Sequence, residues 1–145
     1  MWTDPIVHEY GLACSTEQAF AVYTRRIGEW WLPEYSPNAE TLETVTIEPD
    51  VGGRVLFSHR VEGDIVWGHV TDWQPPRRLV HTSVLAQPGD HPSQITVGFT
   101  PEGEGCRFSF AHGGWNDANA AARDKFSEWR LILDRFAVLA QQAPG

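Results

Sequence analysis

Apolar residues recur through the C-terminal segment Asp117 to Gln142 at the spacing of a helix. Ala122, Phe126, Trp129, Leu133, Phe136 and Ala140 follow one another at intervals of four and three, which sets them on one stripe, and Ile132 and Leu139 widen it. Arg123, Asp124, Lys125, Glu128, Arg130, Asp134 and Arg135 lie mostly off that stripe. The pattern predicts a single uninterrupted helix, roughly 39 Å long at about 1.5 Å per residue, with one large apolar side.

Upstream the period changes to two. Ile6 to Cys14 predicts a strand with Ile6, His8, Tyr10, Leu12 and Cys14 on one face. Ser15-Thr16-Glu17-Gln18 has the form of a capping box, the Ser hydroxyl meeting the Gln18 N–H and the Gln side chain reaching back. A short helix follows, with Phe20, Tyr23 and Ile27 on one face. Gly28 interrupts it, and Glu29-Trp30-Trp31-Leu32-Pro33 adds a further turn. Pro33 to Glu40 has no period and reads as a surface loop.

Six more strands are predicted, at Thr41–Glu48, Arg54–Val61, Ile65–Trp73, Arg78–Leu85, Ser93–Thr100 and Cys106–His112, separated by turns rich in Gly and Pro. Val55, Phe57, His59 and Val61 share a face. So do Ile95, Val97 and Phe99, and so do Cys106, Phe108, Phe110 and His112. The strand from Ile65 leaves its parity open: with Val66, Gly68 and Val70 toward the helix, Trp67, His69 and Trp73 face out and would make a homodimer surface. One α+β domain over residues 1–145 follows, a curved antiparallel sheet of six to seven strands around the C-terminal helix, with two short helices after the first strand.

Several ordered segments carry a family resemblance. They are Gly28-Glu29-Trp30-Trp31, Val51-Gly52-Gly53-Arg54, Trp67-Gly68-His69-Val70, Trp73-Gln74-Pro75-Pro76-Arg77-Arg78-Leu79, Val97 to Pro101, His112-Gly113-Gly114-Trp115, and Trp129 to Phe136. Together they resemble the helix-grip fold of the START and pollen-allergen-like superfamily, SRPBCC. More narrowly, the chain is similar to the family of activator of 90-kDa heat-shock chaperone ATPase homologue-like proteins. The resemblance implies a cavity between sheet and helix, and it allows cyclase-like chemistry or contact with a heat-shock chaperone. Phe57, His81, Ser83 and Glu128 stand where relatives commonly carry other residues, which sets this cavity wall apart.

Composition narrows the partners. The net charge of -8 and pI near 5.1 argue against nucleic acid and anionic membranes, since no basic patch is present. No apolar run has the length of a membrane span and the N-terminus lacks a targeting pattern, so a cytoplasmic location is expected. Seven tryptophans require a core, a cavity or an interface to hold them. Cys14 and Cys106 are too few for a disulfide framework; in this fold their strands are expected to be neighbours, which would bring the thiols together.

No metal or cofactor is expected. His59, His81 and His112 could face inward, yet they stand on separate strands without metal-ligand spacing. No nucleophile elbow, CxxC or phosphate loop occurs, and Ser83 has no assignable base. The expected function is binding of a small apolar or aromatic molecule under the helix. The candidate wall is Trp30, Trp31, Phe57, His81, Ser83 and Val97, continued by Phe108, Phe110, His112, Trp129, Leu133 and Phe136. Entry is expected near Trp30, Trp31 and the loop Pro33 to Glu40. A cyclase- or hydrolase-like reaction in the same cavity is the enzyme alternative, and Trp129, Leu133 and Phe136 are expected to mark where packing gives way to cavity.

Overall fold

A computed structural model describes residues 3–87 and 89–142. Each stretch of alternating apolar residues forms a strand: β1 (Ile6–Leu12), β2 (Leu42–Ile47), β3 (Arg54–His59), β4 (Gly63–Gln74), β5 (Arg78–Ser83), β6 (Ser93–Glu102) and β7 (Gly105–Gly113). They form one antiparallel sheet in the order β1-β7-β6-β5-β4-β3-β2. Consecutive hairpins account for every pairing but one, that of β1 with β7. The helices are α1 (Thr16–Arg25), α2 (Ile27–Trp30), α3 (Ala120–Arg123) and α4 (Trp129–Gln142). The curled sheet grips α4, the arrangement of a helix-grip fold.

Burial follows the alternation. Phe99, Phe108, Phe110, Ile95 and Val97 are all buried on the concave face, and Leu133, Phe136 and Ala140 of α4 meet them with no exposed surface. Phe108 and Phe136 stand 4.8 Å apart between ring centroids, with Tyr23 of α1 in contact with both at 5.8 and 5.3 Å. Such rings gain from offset and edge contacts beyond their area. Ser15 caps α1 by accepting the Gln18 N–H at 3.1 Å. The other half of the expected box takes a different form: the Gln18 side-chain amide donates to the Ala140 carbonyl and ties α1 to the end of α4.

The C-terminal segment departs from the single helix that its period predicts. A 3₁₀ turn at Asp124–Phe126 separates α3 from α4, so the gripped helix has 14 residues and spans roughly 21 Å. Packing explains the break. A 3₁₀ turn brings side chains three apart nearly into line, and Phe126 and Trp129 stack with planes 14° apart. Both rings press on His112, at 4.6 and 5.7 Å.

The parity of β4 is also resolved against the outward-facing alternative. Trp67 is buried and stacks on Phe57, centroids 5.1 Å apart. Val70 is buried as well, because the register slips at this point: Val55 pairs with Gly68 but Leu56 with Val66. A Cβ on Gly68 would lie 2.1 Å from the Thr82 carbonyl oxygen, so the slip needs glycine there. Trp73 is half-buried against Phe20 at 5.2 Å, which leaves His69 as the exposed member of the expected Trp67, His69 and Trp73 surface. Val61 lies beyond the end of β3 and is exposed, not inward as its parity suggested.

Leu12 pairs with Cys106, and the buried Cys14 and Cys106 are free thiols near enough to perturb each other. Burial pushes the Cys106 thiol up to about 11. Among the described residues, no helix is long and apolar enough to cross a membrane.

Candidate ligand-binding site

Under the middle and C-terminal end of α4 the space is filled by Tyr23, Trp30, Phe108 and Phe136. A cavity of about 370 Å³ opens at the other end. Three segments wall it. Trp31 and the turn after it, with Tyr35, Ser36 and Pro37, form one side; Leu85 and Ala86, just past β5, form the second; Phe126, Trp129 and Ile132 form the third. Charged residues stand among the lining groups, and two of them make contacts between walls. Glu128 accepts a hydrogen bond from the Tyr35 hydroxyl, and Lys125 Nζ donates to the Ala86 carbonyl at 2.8 Å. The first contact raises the Tyr35 phenol above its ordinary range.

Local structure positions each wall. Trp31 ends α2, its N–H bonded to the Ile27 carbonyl at 2.9 Å, and Arg135 of α4 donates to the Trp30 and Glu29 carbonyls at 3.0 and 3.3 Å. These bonds satisfy helix-end carbonyls that would otherwise lack partners. Trp31 meets Trp129 edge to face at 5.7 Å. Ala86 has a positive φ of 54°, which turns the chain so that Leu85 and Ala86 line the cavity.

Behind Trp129 lies a polar chain. Trp129 Nε1 donates to His112 Nδ1 at 3.0 Å, so the neutral ring carries its proton on Nε2 and donates to Ser93 Oγ at 2.7 Å. Ser93 in turn donates to Gln87 Oε1 at 2.9 Å. Burial pushes His112 down to about 3. His81 is lowered to about 4 by burial; its Nδ1 donates to the Thr82 carbonyl at 2.7 Å and its ring stands edge-on to Trp67. Both imidazoles are therefore neutral at ordinary pH. Ser83 Oγ accepts the Leu85 N–H at 3.3 Å and has no imidazole partner among the described residues.

Of the residues the sequence singles out, Trp31 and Trp129 line the cavity. Phe57 and Phe110 touch those two rings from behind, at 5.8 and 4.8 Å. Trp30, Phe108, Leu133 and Phe136 belong to the filled end, and Val97 is buried on β6. His81, Ser83 and His112 sit on the inner face of the sheet without reaching the cavity lining. Ile132, Phe126, Leu85 and Ala86 belong to the wall as well; the apolar stripe held Phe126 and Ile132 without marking them as lining, and nothing hinted at Leu85 and Ala86. Among the described residues no three His, Cys, Asp or Glu side chains converge as a metal site would require. A second groove, about 660 Å³, runs between α1, β2 and Pro75-Pro76; Glu17, Thr24, Arg25, Thr44 and Thr46 give it a mixed polar lining.

The model of the Activator of Hsp90 ATPase homolog 1-like protein family matches residues 13–141. The chain belongs to that family. Its solved structural neighbours in the fold include protein MLL2253 from Mesorhizobium loti, 20% identical with a TM-score of 0.72, covering 97% of this chain and 99% of the other. The Aha1 dimer from Colwellia psychrerythraea is 16% identical with a TM-score of 0.70, over 97% and 98% of the two chains. The anthrahydroquino-γ-pyrone synthase Txn09 is 28% identical with a TM-score of 0.62, over 94% and 96%. No curated protein matches. The family membership and the curled sheet around α4 agree with the fold that the sequence resembles.

Proposed function

We propose that this protein binds a small, planar, apolar or aromatic molecule in the cavity between Trp31, the Leu85–Ala86 turn and the start of α4. The observation that carries this reading is the cavity itself: aromatic and aliphatic walls from three segments, with the charged groups Glu34, Lys125 and Glu128 beside them. Burying about 200 Å² of ligand surface at about 25 cal/mol per Å² contributes roughly 5 kcal/mol before the costs of association. The test uses N-phenylnaphthylamine, whose emission rises in apolar sites. Ile132→Trp, which fills the cavity, should weaken binding of the dye at least tenfold and leave the unfolding midpoint nearly unchanged. Undiminished binding would put the dye elsewhere and refute the reading.

A second reading, an enzyme acting in the same cavity, draws on the likeness to the synthase Txn09. His81 and His112, held neutral and buried on the sheet behind the lining, would be its acid–base groups once the wall opens to them. Full turnover in His81→Ala and His112→Ala variants, once a substrate is known, would exclude it. A homodimer, a contact with a heat-shock chaperone and a cytoplasmic location complete the proposal, supported by the Colwellia dimer, the family description and the free thiols Cys14 and Cys106 respectively.

A further inference from the structure

The buried tryptophans divide into two groups by what their indole N–H meets. Trp30 donates to the Val22 carbonyl, Trp115 to the His112 carbonyl and Trp129 to His112 Nδ1, at 3.1, 2.9 and 3.0 Å. Trp31 and Trp67, each 3% exposed, have no acceptor among the described residues. These two indoles touch each other at 5.5 Å, and both touch Phe57. The third buried polar atom without a partner is His59 Nε2, on a ring 6.2 Å from the same Phe57. Buried polar groups are normally bonded, and leaving one unpaired is costly. All three lie around one phenylalanine, behind a cavity wall.

The chemistry of those atoms can be read from their neighbours. Thr41 Oγ1 lies 2.6 Å from Glu62 Oε1 and 3.1 Å from His59 Nδ1. The hydroxyl has one hydrogen and the carboxylate can only accept, so Thr41 donates to Glu62 and His59 Nδ1–H donates to Thr41. In the neutral ring Nε2 therefore holds the lone pair. The three unpaired atoms are two donors and one acceptor.

We propose that Trp31 Nε1, Trp67 Nε1 and His59 Nε2 form the polar inner end of the ligand site, which takes an aromatic molecule bearing both a carbonyl oxygen and a free phenolic hydroxyl. The carbonyl receives the indole N–H groups and the hydroxyl donates to His59. Trp31 lines the cavity and touches Trp67, and no hydrogen bond holds its indole; access to the inner atoms requires that side chain to rotate. The inference rests on the cavity reading above and adds the class of ligand to it.

Four bicyclic probes separate the terms by competition against N-phenylnaphthylamine: hydroxytetralone with both groups, tetralone with the carbonyl, tetrahydronaphthol with the hydroxyl, and tetralin with neither. On the unaltered protein, hydroxytetralone should bind at least tenfold tighter than tetralin, with the two single-group probes between them. Trp31→Phe and Trp67→Phe should each weaken the two carbonyl probes several-fold more than they weaken tetralin and tetrahydronaphthol. Equal binding of all four probes overturns the inference and leaves the cavity reading intact. A uniform loss across the four in both Phe variants also overturns it, since the indoles would then act by packing alone. Failure of every probe and of the dye overturns both.

Discussion

At the scale of single residues, two positions carry more than their size suggests. Gly68 lets the register of β4 slip so that Trp67 and Val70 both turn inward, and its missing side chain is where the Thr82 carbonyl passes. Gly68→Ala should therefore cost about 2–3 kcal/mol, as overpacking against backbone does, read from urea midpoints; a cost near zero would mean that the strand shifts freely. His81 and His112 give the molecule its acid sensitivity. Both are depressed by burial, to about 4 and about 3, whereas in the unfolded chain imidazole takes its proton near pH 6.5. Above that value neither state binds the proton. As pH falls from about 6.5 toward 4 the unfolded chain is increasingly favoured, at up to about 1.4 kcal/mol per pH unit for each ring. Urea midpoints should drop between roughly pH 7 and pH 5, and a flat profile would show that the rings protonate in place.

At the scale of elements, the strands were legible and the helices less so. Alternation in Ser93 to Thr100 and Cys106 to His112 located β6 and β7 because one face is buried and the other wet. The break before α4 was not legible, because the apolar period runs on through Phe126 and Trp129 while the stacking on His112 that tightens the turn is a tertiary contact. Trp31 and Trp129 line the cavity but stood in the expected wall beside ten residues that do not, since an aromatic pattern locates rings without saying which of them face a space. Leu85 and Ala86 were absent from it, because a turn with positive φ at alanine leaves no mark in the sequence. Arg135 links two elements whose relation the sequence does not reveal, α4 and the end of α2. Arg135→Ala should lower stability by about 1 kcal/mol and speed hydrogen exchange at the Trp31 amide. Unchanged exchange there would mean that α2 is held by packing alone.

At the scale of the whole molecule, the sheet is a sequence of local hairpins with one exception. The pairings from β2 through β7 each follow a connection of nine residues or fewer, whereas Leu12 meets Cys106 only after the intervening chain has been gathered in. The entropy of closing that span scales with the logarithm of its length and is recovered only when β1 docks. The pairing therefore implies an order in time: β1, made before the other six strands, is expected to be the last to lock. Pulse labelling during refolding should find β5 and β6 amides protected before those of β1, and simultaneous protection would contradict that order. A chain rearranged to begin at β2 and to join β1 directly after β7 would replace the slow closure by one more hairpin, and it should fold faster into the same sheet.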